Sequence, residues 1–293
     1  MPPNKKEKAE AAKIETPAAP VVAAEAAAAE VSYFQKRMTE IGITASNLNI
    51  KSADASGTVV ERPMFTEDEE GNIVIHFYDF RGNPYTYHPP SSKWSKPYTR
   101  TRFKSPRIGA DGKLQKYTAA SGTHNCIYFT DEIRKKYQAG IEIPLLIMTE
   151  GEFKTLVACM AGLDIVGCTG IQNWADPNNK KHLHHALIDL LVTCKVKRFM
   201  YLTDADTMEI KHKPDDDLTQ RPNFFYSAMK DFREAVMTVI NTQHTFLKDV
   251  YYGHIKTEFA KSNQKGLDDL IIAQRFNIEK IKKSANDTVN GGE

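Results

Sequence analysis

Two stretches constrain this chain most: Ile143–Gly170, IPLLIMTEGEFKTLVACMAGLDIVGCTG, and Arg198–Met208, RFMYLTDADTM. Each holds a short apolar run that stops at acid. Leu145–Met148 halts at Thr149-Glu150-Gly151, after which Phe153, Leu156, Val157 and Met160 recur at helical spacing. The pattern predicts a strand, a tight turn and a helix. Asp164–Val166 opens a second buried strand, closed by Gly167 and Gly170. Phe199–Leu202 makes a third, ending at Thr203-Asp204-Ala205-Asp206. Ligands of an open α/β sheet sit beyond the carboxyl ends of its strands, so these carboxylates are expected on one rim. Asp204 and Asp206, two apart on extended chain, point the same way. Like charges gathered on a rim repel unless a cation sits among them, and the spacing therefore predicts a Mg²⁺ site.

Glu150-Gly151 after one buried strand, Gly167-Cys168-Thr169-Gly170 after the next and Asp204-x-Asp206 after the third resemble the Toprim domain. That domain is shared by bacterial-type primases, topoisomerases and some nucleases. Glu150-Gly151-Glu152-Phe153-Lys154, Gly170-Ile171-Gln172-Asn173-Trp174 and Lys265-Gly266-Leu267-Asp268-Asp269 are similar to the Toprim-like domains of phage and plasmid primase or primase-helicase proteins. The resemblance runs from residue 60 to residue 275. It implies a Toprim-type, Rossmann-like, mostly parallel sheet flanked by helices, preceded by a smaller β-rich α+β domain. It implies catalytic roles for Glu150, Asp204, Asp206 and Lys154. Metal ligation would come from Glu150, Asp204 and Asp206, with Asp269 as a further contributor. Mg²⁺ is the implied ion, with Mn²⁺ as a substitute.

On this reading residues 1–30, made of Ala, Lys, Glu and Pro, form a disordered tail, because they carry almost nothing large to bury. Residues 31–140 form a β-rich basic domain, 141–283 the Toprim-like catalytic domain and 284–293 a flexible tail. Val31–Ile43 is expected as a short docking helix and Ala45–Ser56 as a polar connection. Asn72–Tyr78 and Pro84–His88 are expected to pair as a hairpin about Arg81-Gly82-Asn83, followed by a strand over Tyr98–Phe103. Cys126–Phe129 reads as a strand and Asp131–Gln138 as a helix ending at Gly140, with Pro144 beside a domain break. Helices over His182–Leu191, Asn223–Ile240 and Asp268–Phe276 and a strand over His244–Tyr252 complete an alternating β/α pattern.

Charge is unevenly spread. The whole chain carries a net +2, yet Ser92–Tyr117 sets Lys93, Lys96, Arg100, Arg102, Lys104, Arg107, Lys113 and Lys116 against one acid, Asp111. Trp94, Tyr98 and Tyr117 lie among them. Cations for phosphates beside rings for bases are what single-stranded nucleic acid requires. Arg100, Arg102, Lys104, Lys116 and Tyr117 are therefore candidate contacts, with Gly151 and Gly170 as places where phosphate approaches backbone amides. The competing reading is a strand face whose long side chains cover the core. Lys154, one turn beyond Glu150, is read either as its i, i+4 partner or as a phosphate contact.

Cys126, Cys159, Cys168 and Cys194 form no C-x-x-C pair, so no zinc is expected and a reduced cytoplasmic setting, in a bacterium or a phage-infected host, fits. No apolar run approaches the length of a membrane span. The resemblance implies a nucleotidyltransferase that makes primers on single-stranded DNA from nucleoside triphosphates, in the replication of a phage, plasmid or mobile element. No G-x-x-x-x-G-K-[ST] run is present, so unwinding would fall to a separate replicative helicase. Two readings compete: a Toprim-family nuclease, in which the same acids activate water, and a non-catalytic nucleic-acid-binding module. Asp204-Ala205-Asp206-Thr207 also approaches the start of haloacid-dehalogenase-type phosphatases, but its threonine arrives one residue early and two strand-helix units precede it.

Overall fold

The structure is a computed structural model that describes residues 31–44, 47–53, 57–90, 92–109, 112–207, 220–243, 245–256, 258–259 and 264–273, without the side chains of 53 and 220–222. The expected tails at 1–30 and 284–293 lie outside these residues.

Helix α1 (Tyr33–Glu40) opens with a reciprocal cap, in which Ser32 Oγ accepts from the Gln35 amide while the Gln35 side chain accepts from the Ser32 amide. The polar connection expected next is in part a strand. β1 (Asn49–Ala53) pairs antiparallel with β2 (Val59–Pro63), because Ile50, fully buried, anchors an otherwise hydrophilic run. β3 (Phe65–Glu67) and β4 (Ile73–His76) follow, then the short pair β5 (Thr86–Tyr87) and β6 (Lys96–Pro97), then β7 (Thr99–Ile108) and β8 (Leu114–Ala119). These make a second antiparallel sheet in the order β3-β4-β7-β8. The hairpin expected between Asn72–Tyr78 and Pro84–His88 forms next to its turn, where Tyr78 is bridged to Pro84 and the Asp79 and Tyr85 amides donate to the Asn83 and Phe77 carbonyls, while β4 pairs with β3 and β7. β8 was not foreseen, since only Tyr117 along it is partly buried and no alternation marks it.

Helix α2 (Asp131–Ala139) starts at Thr130, whose hydroxyl accepts from the Ile133 amide, and stops at Gly140 with φ +61°, a left-handed cap that glycine takes without steric cost. β9 (Leu145–Glu150), α3 (Glu152–Met160) and β10 (Ile165–Cys168) then form a βαβ unit. A small hairpin, β11 (Ala175–Asp176) and β12 (Asn179–Leu183), precedes α4 (His185–Thr193), so the helix expected from His182 begins three residues later. His184 caps it, its Nδ1 accepting from the Ala186 amide, and burial lowers its pKa to about 4. β13 (Arg198–Thr203), α5 (Gln220–Thr242), β14 (Asp249–His254) and α6 (Leu267–Ile272) complete the described chain. Cys126–Phe129 contributes one bridge, Tyr128 to Gly167, rather than a strand.

A four-stranded parallel sheet has the order β10-β9-β13-β14, with every pair parallel. Alternation along its strands sorts side chains onto two faces. Leu146, Met148, Val166, Cys168, Phe199 and Tyr201 share one apolar cluster with Leu187 and Leu190 of α4 and Phe232 and Val236 of α5. Ile147 and Ile165 fall in another, with Ala158 of α3 and Leu267 and Leu270 of α6. Helices therefore cover both faces, which is why the strands read as continuous apolar runs. From Ser32 on, the chain forms one unit, and its largest apolar cluster crosses position 140, joining Phe80, Phe129 and Ile133 to Met148 and Val166. Among the described residues no helix is long and apolar enough to cross a membrane.

A candidate active site at the rim of the parallel sheet

Strand order places the site. From β9 the chain moves to β10 on one side, whereas β13 lies on the other side of β9 and leads outward to β14. The crevice beyond the carboxyl ends of β9 and β13 is therefore a switch point, where ligands of such sheets bind. Glu150 ends β9, and Asp204 and Asp206 follow β13. The three carboxylates line one open cavity of about 300 Å³, together with Ile171, Thr203, Thr207, Phe224 and Phe225.

Their charge is balanced differently from the sequence expectation. Lys154 Nζ donates to both carboxylate oxygens of Asp204, each at 2.7 Å, rather than pairing with Glu150 one turn before it. Lys265 Nζ donates to Asp206 at 3.3 Å. Two ammonium groups thus lie among the acids where a divalent ion was expected. Among the described residues no group of three histidine, cysteine or carboxylate side chains stands poised to hold a metal ion. The donors still suit a hard cation in kind, since Mg²⁺ takes carboxylate oxygens and keeps several waters.

The backbone makes these contacts possible. Gly151 turns the chain from β9 into α3 with φ +105°, a conformation closed to most side chains, and a Cβ there would come within 3.1 Å of the Lys154 chain. Its amide donates to the Cys168 carbonyl at 2.9 Å, so it is not free for phosphate. Gly170 opens a turn closed by the Asn173 amide at 2.8 Å. The Ala205 amide donates to the Lys265 carbonyl at 3.0 Å, which brings the segment before α6 against the rim. Lys265 was visible in sequence only as part of a motif, not as a partner of Asp206.

Loss of hydration raises the Glu150 carboxyl above the ordinary glutamate value, Lys154 opposing and Asp204 adding to the rise. Burial pulls the Lys154 ammonium down, but the Asp204 carboxylate, helped by Glu150 and Asp268, more than offsets this, and its pKa lies above the usual lysine value. Asp269 stands apart from the cavity-lining acids: its carboxylate accepts from the Gly266 amide at 3.1 Å and caps α6. Asp268 is 7% exposed, and burial, with Asp269 next to it, raises its carboxyl.

The basic window divides. Arg100 turns inward, its Nη1 donating at 2.7 Å to Glu152, which is 1% exposed. Arg102 donates to Tyr33 Oη at 2.9 Å and to Tyr117 Oη, and its guanidinium lies 5.4 Å from the centre of the Phe153 ring. These two arginines and Tyr117 therefore tie β7 and β8 to α1 and α3 instead of forming an open strip. Lys104 and Lys116 are exposed, as is Trp94 at 80%. The acids and Lys154 thus converge on one rim, and the basic candidates lie on the other sheet. Trp174 is 1% exposed and meets Phe232 edge-on.

No family model matches the chain, and no curated protein matches it. Among solved structures, it is similar to the Aquifex aeolicus primase (zinc-binding and RNA polymerase domains), at 17% identity over 81% of this chain and 43% of that one, with a TM-score of 0.39. It is also similar to the DnaG catalytic core, at 11% identity over 83% of this chain and 72% of that one, with a TM-score of 0.39. The chain thus spans less than half of the first of these, and neither similarity assigns a residue or a reaction to it.

Proposed function

We propose that this chain is a Toprim-like, primase-type nucleotidyltransferase that extends primers on single-stranded DNA in the replication of a phage, plasmid or mobile element. The observation that carries the reading is the meeting of Glu150, Asp204 and Asp206 in one cavity at the switch point of a parallel sheet. The reaction joins a primer 3′-hydroxyl to the α-phosphorus of a nucleoside triphosphate and releases pyrophosphate. Glu150, with a raised carboxyl pKa, takes the hydroxyl proton, a task that favours a base poised nearer neutrality. Asp204 and Asp206 would hold Mg²⁺ or Mn²⁺, which when bound supplies charge neutralisation at the triphosphate. Lys154 and Lys265 occupy the carboxylates meanwhile and turn to phosphate oxygens once substrate arrives. Lys104 and Lys116 steer the strand, and a separate helicase opens the duplex in the cytoplasm.

The test is extension on single-stranded DNA with labelled nucleotides and Mg²⁺, comparing wild type with Asp204→Ala and Glu150→Ala. Both substitutions are expected to remove product, by about 100-fold or more, with unchanged circular dichroism. Either variant extending at the wild-type rate overturns the assignment. Shortening of a 5′-labelled strand without incorporation would place the same acids in a nuclease.

A further inference from the structure

A second cavity, of about 690 Å³, lies between the β11–β12 hairpin and α5. It begins one residue beyond the rim, because Ile171 lines the first cavity and Gln172 and Asn173 line the second. Its walls carry three chemistries. Gln172 and Asn173 present carboxamides, each with donor and acceptor atoms; the Asn173 amide nitrogen donates to Thr169 Oγ1 at 2.8 Å, which anchors the group. Lys180 and Lys181 on the hairpin are exposed and make no ion pair among the described residues. Asp231 and Glu234, three apart on α5, face the same side. The buried Trp174 ring, packed edge-on against Phe232, backs the wall and ties it to the core.

We infer that this cavity binds a nucleoside phosphate. Carboxamides pair with the donor and acceptor edges of a base. Ammonium groups meet phosphate, and carboxylates accept from the vicinal hydroxyls of ribose. Each wall matches one part of such a molecule, and the volume lies within the range of small-molecule sites. Neither purely anionic nor purely apolar ligands use all three walls: phosphate alone leaves the carboxamides idle and meets the two acids. The nucleoside phosphate comes either as a free triphosphate or as one unit of a strand. This site is separate from the proposed reaction centre and shares no residue with it.

Titration calorimetry on the whole chain tests it in the Lys154→Met/Lys265→Met background, which removes the phosphate contacts proposed at the rim, with ATP, dATP, inorganic triphosphate and a single-stranded oligonucleotide as probes. ATP is expected to bind, dATP less tightly, and Lys180→Ala/Lys181→Ala to weaken ATP by about tenfold or more. If the oligonucleotide alone binds and the lysine pair weakens it, the source is a strand. If the lysine pair changes neither ATP nor oligonucleotide, or if inorganic triphosphate binds as well as ATP, the inference falls. Loss here would leave primer extension by the wild-type chain standing, and absence of extension would leave this binding standing.

Discussion

The two sheets treat charge in opposite ways. On the parallel sheet, three carboxylates meet at an open rim beside two lysines: the side chains of Asp204, Asp206 and Lys265 are 31%, 25% and 35% exposed, and that of Lys154 is 15% exposed. On the antiparallel sheet, Arg100 and Arg102 turn inward onto Glu152, Tyr33, Tyr117 and Phe153. An ion pair at an open edge is cheap to exchange for another partner, whereas a buried one leaves an unmatched charge when broken. The Lys265–Asp206 pair is thus placed to exchange partners, the Lys154–Asp204 pair is held more firmly, and the Arg100–Glu152 pair, with its carboxylate 1% exposed, is the most costly to break.

The sharpest way to break this contrast is Glu152→Ala. Removing a carboxylate that is 1% exposed strands Arg100 and should cost about 3–5 kcal/mol, read as a lower urea midpoint with a normal slope. A loss as small as that of an exposed pair would put Arg100 with the exchangeable cations. Next comes Lys154→Met, which removes two charge-assisted hydrogen bonds made by a lysine 15% exposed and should cost about 1.5–3 kcal/mol. Because Lys154 holds the Glu150 carboxyl down, its removal should also move the acid limb of primer extension to higher pH. A fixed limb would separate Glu150 from the proton transfer.

A third difference lies in pH. Asp268 is raised by burial, so above the usual aspartate range the folded chain binds more protons than the unfolded one, and stability falls as pH rises through that window. Asp268→Asn should flatten this part of the stability curve, measured by denaturation at successive pH values; an unchanged slope would show that Arg37 and Lys154 compensate fully. The smallest effect belongs to the exposed lysines. Lys104→Ala/Lys116→Ala should weaken single-strand binding a few-fold and lower its salt slope by about 1.4, whereas Arg100→Lys should leave that slope alone.

Much of the rim was legible because buried parallel strands write themselves as apolar runs, and Leu145–Met148 and Phe199–Leu202 end where acid begins. The partner of Lys154 was not. Local spacing pointed to Glu150, but the acid it holds is Asp204, fifty residues away, and such a contact depends on strand order rather than periodicity. Arg100 misled for a related reason. A guanidinium in a basic run looks solvated until the buried Glu152 that it meets is known, and that acid sits in an apolar helix with no sign that it faces another sheet. The strand at Leu114–Ala119 stayed hidden because its exposed side chains carry no alternation.

The first turn of α3 has a mechanical consequence. Glu152 grips β7 through Arg100, and Lys154, two residues on, grips the residue after β13. Both grips sit on one turn, so this stretch of helix is a shared anchorage for the β7–β8 ribbon and for the chain leaving β13.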